Sequence, residues 1–343
     1  MSPIEKYSKA VKIWLWIGVF MVVIQLLIGA VTRLTEAGLS ITKWDVVSGV
    51  VPPLSHDDWN KAFELYQETP QYKQINEGMT LSDFKFIFFW EYIHRLWARF
   101  MGFVFVIPFI YFILKNQIDK RLLRKLGIVI LFACLAAVFG WIMVASGLVD
   151  RPWVNAYKLS LHLILGFLVF ASLIKVVFYV YNCNRKEIFP TLKPFLKVFI
   201  AVLIVQVFLG GMMSGMKAAV VYPTWPKMAG EWFPSILIDY SQWKWSNFVW
   251  YDKNTFMYAL VQFSHRVSGY VLLLIGLILG AKWIKSGDFT AGLVIILLLT
   301  LQVLFGIITL VNSLGEVPVL LGSIHQFIAI MIVGFTTWMH SKV

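Results

Sequence analysis

Charge is scarce in this chain. Only 14% of its 343 residues are Asp, Glu, Lys or Arg, while 59% are hydrophobic. Soluble domains run nearer a quarter charged and half apolar. A single water-soluble globule has no room to hide this much apolar surface, so lipid is the expected solvent. Cysteine is scarcer still. Cys134 falls midway along one apolar run and Cys183 at the end of another. Neither belongs to a CxxC or CxxCH, which argues against a zinc ribbon and a covalently attached c-type haem. The net charge of +12 invites a nucleic-acid reading, but the basic residues sit in short segments between apolar runs and form no continuous stripe. No cleavable leader is apparent either. The run Ile13 to Val31 is too long for a signal-peptide core and ends in no small-residue cleavage site. The residues before it lack the Arg- and Ser-rich character of a mitochondrial transit peptide. We read that run as a first membrane span.

A bilayer core about 30 Å thick needs roughly 20 apolar residues in a helix. Eight runs qualify: 12–32, 86–114, 124–147, 158–182, 194–216, 255–283, 290–312 and 319–340. Lipid leaves a bare backbone unsatisfied, so helices are required. The expected fold class is an all-α polytopic membrane protein of eight spans. With the N-terminus inside, the inner segments hold 15 basic residues against four acidic ones, and the outer loops 11 against 13. That asymmetry predicts cytoplasmic termini and a multi-pass protein of the cell (inner) membrane. The two long loops, about 33–85 and 217–254, then lie outside. Both are rich in Trp, Pro and Tyr, which suits caps folded over the membrane surface.

The chain repeats itself. Gln25 to Gly29 (QLLIG) parallels Gln206 to Gly210 (QVFLG), and His94-Arg95 parallels His265-Arg266. FGWIMVASGLVDRP (139–152) parallels FGIITLVNSLGEVP (305–318), and His162 parallels His325. Order is kept, and the polarity of each half is the same. A parallel repeat of two four-helix bundles is expected, with halves at 1–184 and 185–343.

Six histidines occur, and four of them lie inside spans: His94, His162, His265 and His325. Each is alone on an even-numbered span, in the part nearest the outside. Two facing helices per half would thus present one imidazole each, as four-helix bundles do when they hold a cofactor in the core. Neutral imidazole is a common axial ligand to haem iron. The plainer reading is four hydrogen-bonded core histidines, which their repeat-related placement disfavours. His56, in SHDDW, and His340, at the inner end of the last span, read as solvated or interfacial. Arg95, Arg266 and Arg99 follow the candidate ligands, and a guanidinium in a membrane needs an anion. Haem propionates would serve, and so would loop carboxylates or backbone carbonyls. Glu91, the one carboxylate well inside a span, precedes His94 by three residues and shares its helix face. Its counterpart is Gln262. The halves are therefore chemically unequal, with chemistry expected in the first and a fixed cofactor in the second. Glu91 would relay protons or stabilise developing positive charge, or else pair with Arg95.

These residues resemble the heme A synthase family. The first-loop stretch GAVTRLTEAGLSITKWDVVSGVVPPL, FFWEYIHRLWAR (88–99), FGWIMVASGL with NAYKLSLH (155–162), YPTWPKMAGEWFP (222–234), VQFSHR and VPVLLGSIHQ (317–326) follow in the family's order over nearly the whole chain. The resemblance implies oxidation of the C8 methyl of haem O to a formyl group, through a hydroxymethyl, giving haem A for terminal oxidases. It implies O2 and an external electron donor as co-reactants. On it, Glu91 is catalytic and His94, His162 and Arg95 bind the substrate haem, while His265, His325 and Arg266 hold a resident heme b. The four histidines would be the axial ligands to iron. Two departures stand out. Some members carry a first-loop cysteine pair, absent here, and many have Ser-Gly where this chain has Glu36-Ala37.

Two other classes remain in view. A di-haem b-type electron-transfer cytochrome would stack its haems across the bilayer, whereas these four histidines lie at one depth. A haem carrier would have no use for Glu91. The expected partners are haem O, the lipid membrane, an unnamed electron donor, heme O synthase as the supplier of substrate, and a second copy in a homo-oligomer. The sequence leaves the donor, the supplier and the oligomeric state open.

Overall fold

The computed structural model describes residues 6–42, 51–148, 151–181 and 189–343. Among these, eight helices are long and apolar enough to cross a membrane. They are α1 (Lys9–Leu34), α2 (Leu81–Leu114), α3 (Lys120–Gly147), α4 (Ala156–Tyr181), α5 (Lys193–Gly215), α6 (Thr255–Lys285), α7 (Phe289–Val311) and α8 (Val319–His340). The described residues contain no β-strand, only an isolated bridge between Met228 and Glu231. The protein is thus an all-α polytopic membrane protein, as expected. Phe20, Phe103, Ile107, Leu131, Leu274 and Leu297, all within helices, are more than half exposed. Such faces are stable only against lipid.

Helix starts are set by polar caps that a hydropathy reading passes over. α2 begins at Leu81 rather than at 86, because Thr80 and Asp83 close a reciprocal capping box ahead of the apolar run. Ser8, Asp119, Asn254 and Asp288 cap the starts of α1, α3, α6 and α7 with their side chains. At 34 residues, α2 is about 51 Å long, far more than a bilayer core requires. Its first turns carry Phe84, Ile87 and Phe88 into a small core with Ala37, Ile41 and Tyr66. Two short helices, His56–Gln67 and Pro70–Gln74, complete that cap. His56 is exposed and meets its neighbour Asn60, as a solvated residue should.

The chain divides into two compact units, 1–158 with 168–183, and 159–167 with 184–343. In the first, Trp14 of α1 packs on Phe105 and Phe112 of α2, with ring centroids 4.7 and 5.4 Å away. Trp97 of α2 donates its indole N–H to the Met21 carbonyl at 3.0 Å. In the second, Leu196, Phe199, Leu279, Trp283, Ile295, Leu299, Ile332 and Met339 form one core. There α6 and α7 approach through glycines. A Cβ at Gly292 would lie 2.4 Å from the Gly280 carbonyl oxygen, and one at Gly280 would lie 2.8 Å from that of Gly292. Small residues that allow backbones to meet are how membrane helices gain contact without a hydrophobic driving force. Cys134 is an exposed free thiol on α3, and Cys183 lies outside the described residues.

Candidate functional site

In the first unit, α2 aligns Glu91, His94 and Arg95 within little more than one turn. Glu91 is 2% exposed. Its Oε2 accepts from the Ser40 hydroxyl at 2.7 Å and the Ile41 amide at 2.8 Å. Its Oε1 accepts from Arg95 Nη2, closing an ion pair across one helical turn. Three donors therefore converge on the carboxylate, one of them charged. The pairing of Arg95 with Glu91, one of the readings open from the sequence, is present in the structure. Beside it, His94 rests on α1. Gln25 Nε2 lies 3.3 Å from both ring nitrogens, and a Cβ at Gly29 would lie 3.1 Å from His94 Cε1.

The second unit repeats this geometry with altered chemistry. Gln262 is fully buried and donates to the Tyr222 carbonyl at 2.8 Å. Position 91 thus accepts from the loop after α1, while position 262 donates to the loop after α5. Arg266 meets carbonyls where Arg95 meets a carboxylate. It donates to those of Thr224 at 2.6 Å, and of Tyr222 and Pro226 at 3.4 Å. These carbonyls take both terminal nitrogens of Arg266, while its buried Nε finds no partner among the described residues. His265 rests on α5, with Gln206 Nε2 at 3.3 and 3.4 Å from its ring nitrogens and the Cβ position of Gly210 at 3.4 Å from Cε1. His325 rests on α7, with Gln302 Nε2 at 3.2 Å from its Nε2 and the Cβ position of Gly306 at 2.9 Å from Cε1. His265 and His325 both belong to this one compact unit.

His162 lies half-buried in the second turn of α4, and His340 is the last residue of α8. Arg99 reaches back to the Arg95 carbonyl at 3.4 Å. Sequence reasoning missed Ser40 and Ile41, because a loop delivers them to Glu91. It also gave no role to Gln25, Gln206 and Gln302, although an amide followed four residues later by glycine recurs at 25/29, 206/210 and 302/306. Polar residues buried in a span are a functional signal.

These surroundings suit haem rather than a bare ion. No cluster of three or more metal-ligating side chains occurs among the described residues. His265 and His325, each an imidazole against a neighbouring helix, are donors of the kind that ligate haem iron axially. His325 Nδ1 is buried and finds no partner among the described residues, so a ring nitrogen is available to a ligand.

Comparison with known proteins decides the family. A family profile described as COX15-CtaA, cytochrome oxidase assembly protein, matches residues 12–337. The chain belongs to this family. Among its COX15-CtaA relatives is the heme A synthase of Nitrosospira multiformis, 37% identical over 98% of this chain and 94% of its own. That of the Wolbachia of Brugia malayi is 36% identical over 96% of each chain. That of Bradyrhizobium diazoefficiens is 36% identical over 96% of this chain and 90% of its own.

Proposed function

We infer that the chain is a heme A synthase, a membrane oxidoreductase that converts the C8 methyl of haem O to a formyl group. The observation that carries this is one of inequality between similar halves. Both present an imidazole against a glutamine and a glycine, yet only the first sets a carboxylate beside it. A pure electron carrier has no need of that difference, and neither does a haem carrier. The relatives, matched over nearly their whole length, bear the synthase name throughout.

On this reading, His94 and His162 are the ligands proposed for haem O, and His265 and His325 those for a heme b kept by residues 185–343. Bound haem supplies the redox chemistry, with O2 and electrons from an external donor. The chain supplies position and charge. Glu91, held by Ser40, Ile41 and Arg95, is a fixed anion next to the substrate and stabilises positive charge that develops there. Arg95 orients that carboxylate. Arg266 anchors the loop at 222–226 over the second site. Haem O carries a long apolar tail, so it enters sideways from the bilayer, whether released into lipid or passed on by heme O synthase. The membrane is the bacterial cell membrane, with both termini cytoplasmic and both sites toward the outer face.

The test is co-expression with heme O synthase, followed by extraction and chromatography of the bound pigments. Formyl porphyrin should appear only when this chain is present. Accumulation of haem O with no formyl product would refute the reading.

A further inference from the structure

Positive charge gathers in the first unit at the membrane edge on the N-terminal side. Nine basic residues, in 6–12, in 115–125 and at Lys175, stand there against one described carboxylate, Asp119. That carboxylate is already engaged. It pairs with Lys6 at 2.6 Å, accepts from the Tyr7 hydroxyl at 3.2 Å, and caps α3 through the Leu122 amide at 2.7 Å. Among the described residues, no carboxylate pairs with Lys125 or Lys175.

These two lysines come from different helices to one depth. Lys125 is five residues into α3, about 7.5 Å along its axis, and Lys175 is six residues before Tyr181 ends α4, about 9 Å along. Lys125 Nζ lies over the Tyr179 ring, 4.7 Å from its centroid. Tyr179 follows Lys175 by four residues, so both share a face of α4. The lysines therefore border one seam between α3 and α4. Tyr7 packs on Tyr179 with centroids 6.2 Å apart, and Lys12 brings a third cation over the Tyr181 ring at 5.0 Å. Lys175 is exposed and Lys125 half-buried, so the seam opens toward lipid. Further along α3, Ile128 and Leu131 are 49% and 55% exposed. The repeat does not carry this pair. Its registers set Ala291 against Lys125 and Trp338 against Lys175. Membrane orientation asks for basic residues beyond the helix ends, not a turn or more inside them, so it does not account for the pair either. Two like charges across one seam repel, and an anion between them removes the repulsion.

We propose that Lys125 and Lys175 bind the phosphate of an anionic phospholipid, in the leaflet on the N-terminal side, with its acyl chains along Ile128 and Leu131. A lipid suits the seam better than a free anion does. Cations stand at the level of the headgroup and bare apolar side chains lie deeper, which matches an amphiphile and not a small ion. Basic pockets between spans take acidic headgroups in this way. The bound phosphate neutralises both lysines and ties α3 to α4 at this end of the first unit. The site stands or falls independently of the haem reading.

The experiment uses the full-length protein in nanodiscs of phosphatidylcholine, with and without phosphatidylglycerol. Retained lipid is counted by native mass spectrometry and the melting temperature is measured in parallel. The unaltered protein should retain phosphatidylglycerol in preference to phosphatidylcholine and melt higher in its presence. Lys125→Gln with Lys175→Gln should weaken that preference about 30-fold, roughly five-fold for each lysine. Lys115→Gln with Lys120→Gln removes the same charge from exposed helix ends and should leave the preference unchanged. An unchanged preference in the Lys125 and Lys175 variant would overturn the site. An equal loss in the Lys115 and Lys120 variant would also overturn it, since the attraction would then be to net charge alone. Inorganic phosphate added to phosphatidylcholine nanodiscs should not raise the melting temperature. If it reproduces the whole rise, the ligand is the free ion and the lipid assignment is wrong. Lys175 is exposed, so Lys175→Gln alone, with its five-fold loss, decides the question should the double variant fail to accumulate.

Discussion

A carboxylate at 91 and an amide at 262 differ by one atom type, yet the loops that meet them are matched to that difference. Ser40 and Ile41 offer an O–H and an N–H to Glu91, whereas Tyr222 offers a carbonyl to Gln262. Glu91→Gln keeps an oxygen that accepts the Ile41 amide but removes the charge that Arg95 pairs with. Breaking a buried ion pair from one side costs about 3–5 kcal/mol, because the other charge is left uncompensated. The variant should therefore unfold at lower temperature in a thermal-melt assay. It should keep its haem absorbance, since the Gln and Gly contacts to His94, His265 and His325 are untouched. Haem A formation should fall on the order of 100-fold or more, as expected when a positioned charged group is lost from a reacting site. Full activity at normal haem content would show that the Glu91 charge serves the loop alone.

Glycine positions separate packing from function at the level of whole helices. At Gly292 and Gly280 a methyl group would strike the opposing backbone, so α6 and α7 would have to part. Overpacking of this kind typically costs about 1–3 kcal/mol. Gly292→Ala should lower the melting temperature of the whole protein and alter both helices together. Gly306→Ala is different in kind. Its new methyl would fall 2.9 Å from His325 Cε1, so the ring must turn before the helices move. This variant should lose the second-half haem signal with only a small change in melting temperature. At Gly102 and Gly127 an added methyl would meet nothing within 4 Å. These two serve as controls, since alanine there should leave both properties unchanged. Equal haem loss in the control and test variants would show that helix propensity, not ring contact, sets haem binding.

These distinctions mark what the sequence reveals. Span number and the six histidines are legible because apolar length and rare polar groups are one-dimensional signals. The early start of α2 is written in the Thr80–Asp83 pair, but a hydropathy window averages it away. The partners of Glu91 are less accessible. Ser40 and Ile41 lie some fifty positions distant in the chain, brought near only by the turn after α1. The contacts of Gln25, Gln206 and Gln302 depend on helix rotation. Their spacing to glycine recurs plainly, but its meaning appears only when the ring lies between the two side chains.

For the molecule as a whole, lipid and charge act on different parts of the surface. The exposed Phe, Leu and Ile of the helices set where the bilayer must be, but they are indifferent to which way up the protein sits. Basic residues break that tie, and 15 of them against four acids fall in the segments assigned to the inside. Tyr240, in the loop before α6, is 89% exposed and should then face outward, whereas Lys342 should face the cytoplasm. Native Cys134 and Cys183 are first changed to serine, and Tyr240→Cys or Lys342→Cys is introduced singly. A membrane-impermeant maleimide applied to intact spheroplasts should label the first variant and spare the second until the membrane is opened. Reversed labelling would move both haem sites to the cytoplasmic side. The caps at 56–74 and 222–250 would then lie in a reducing compartment, and substrate and electrons would have to come from the opposite face.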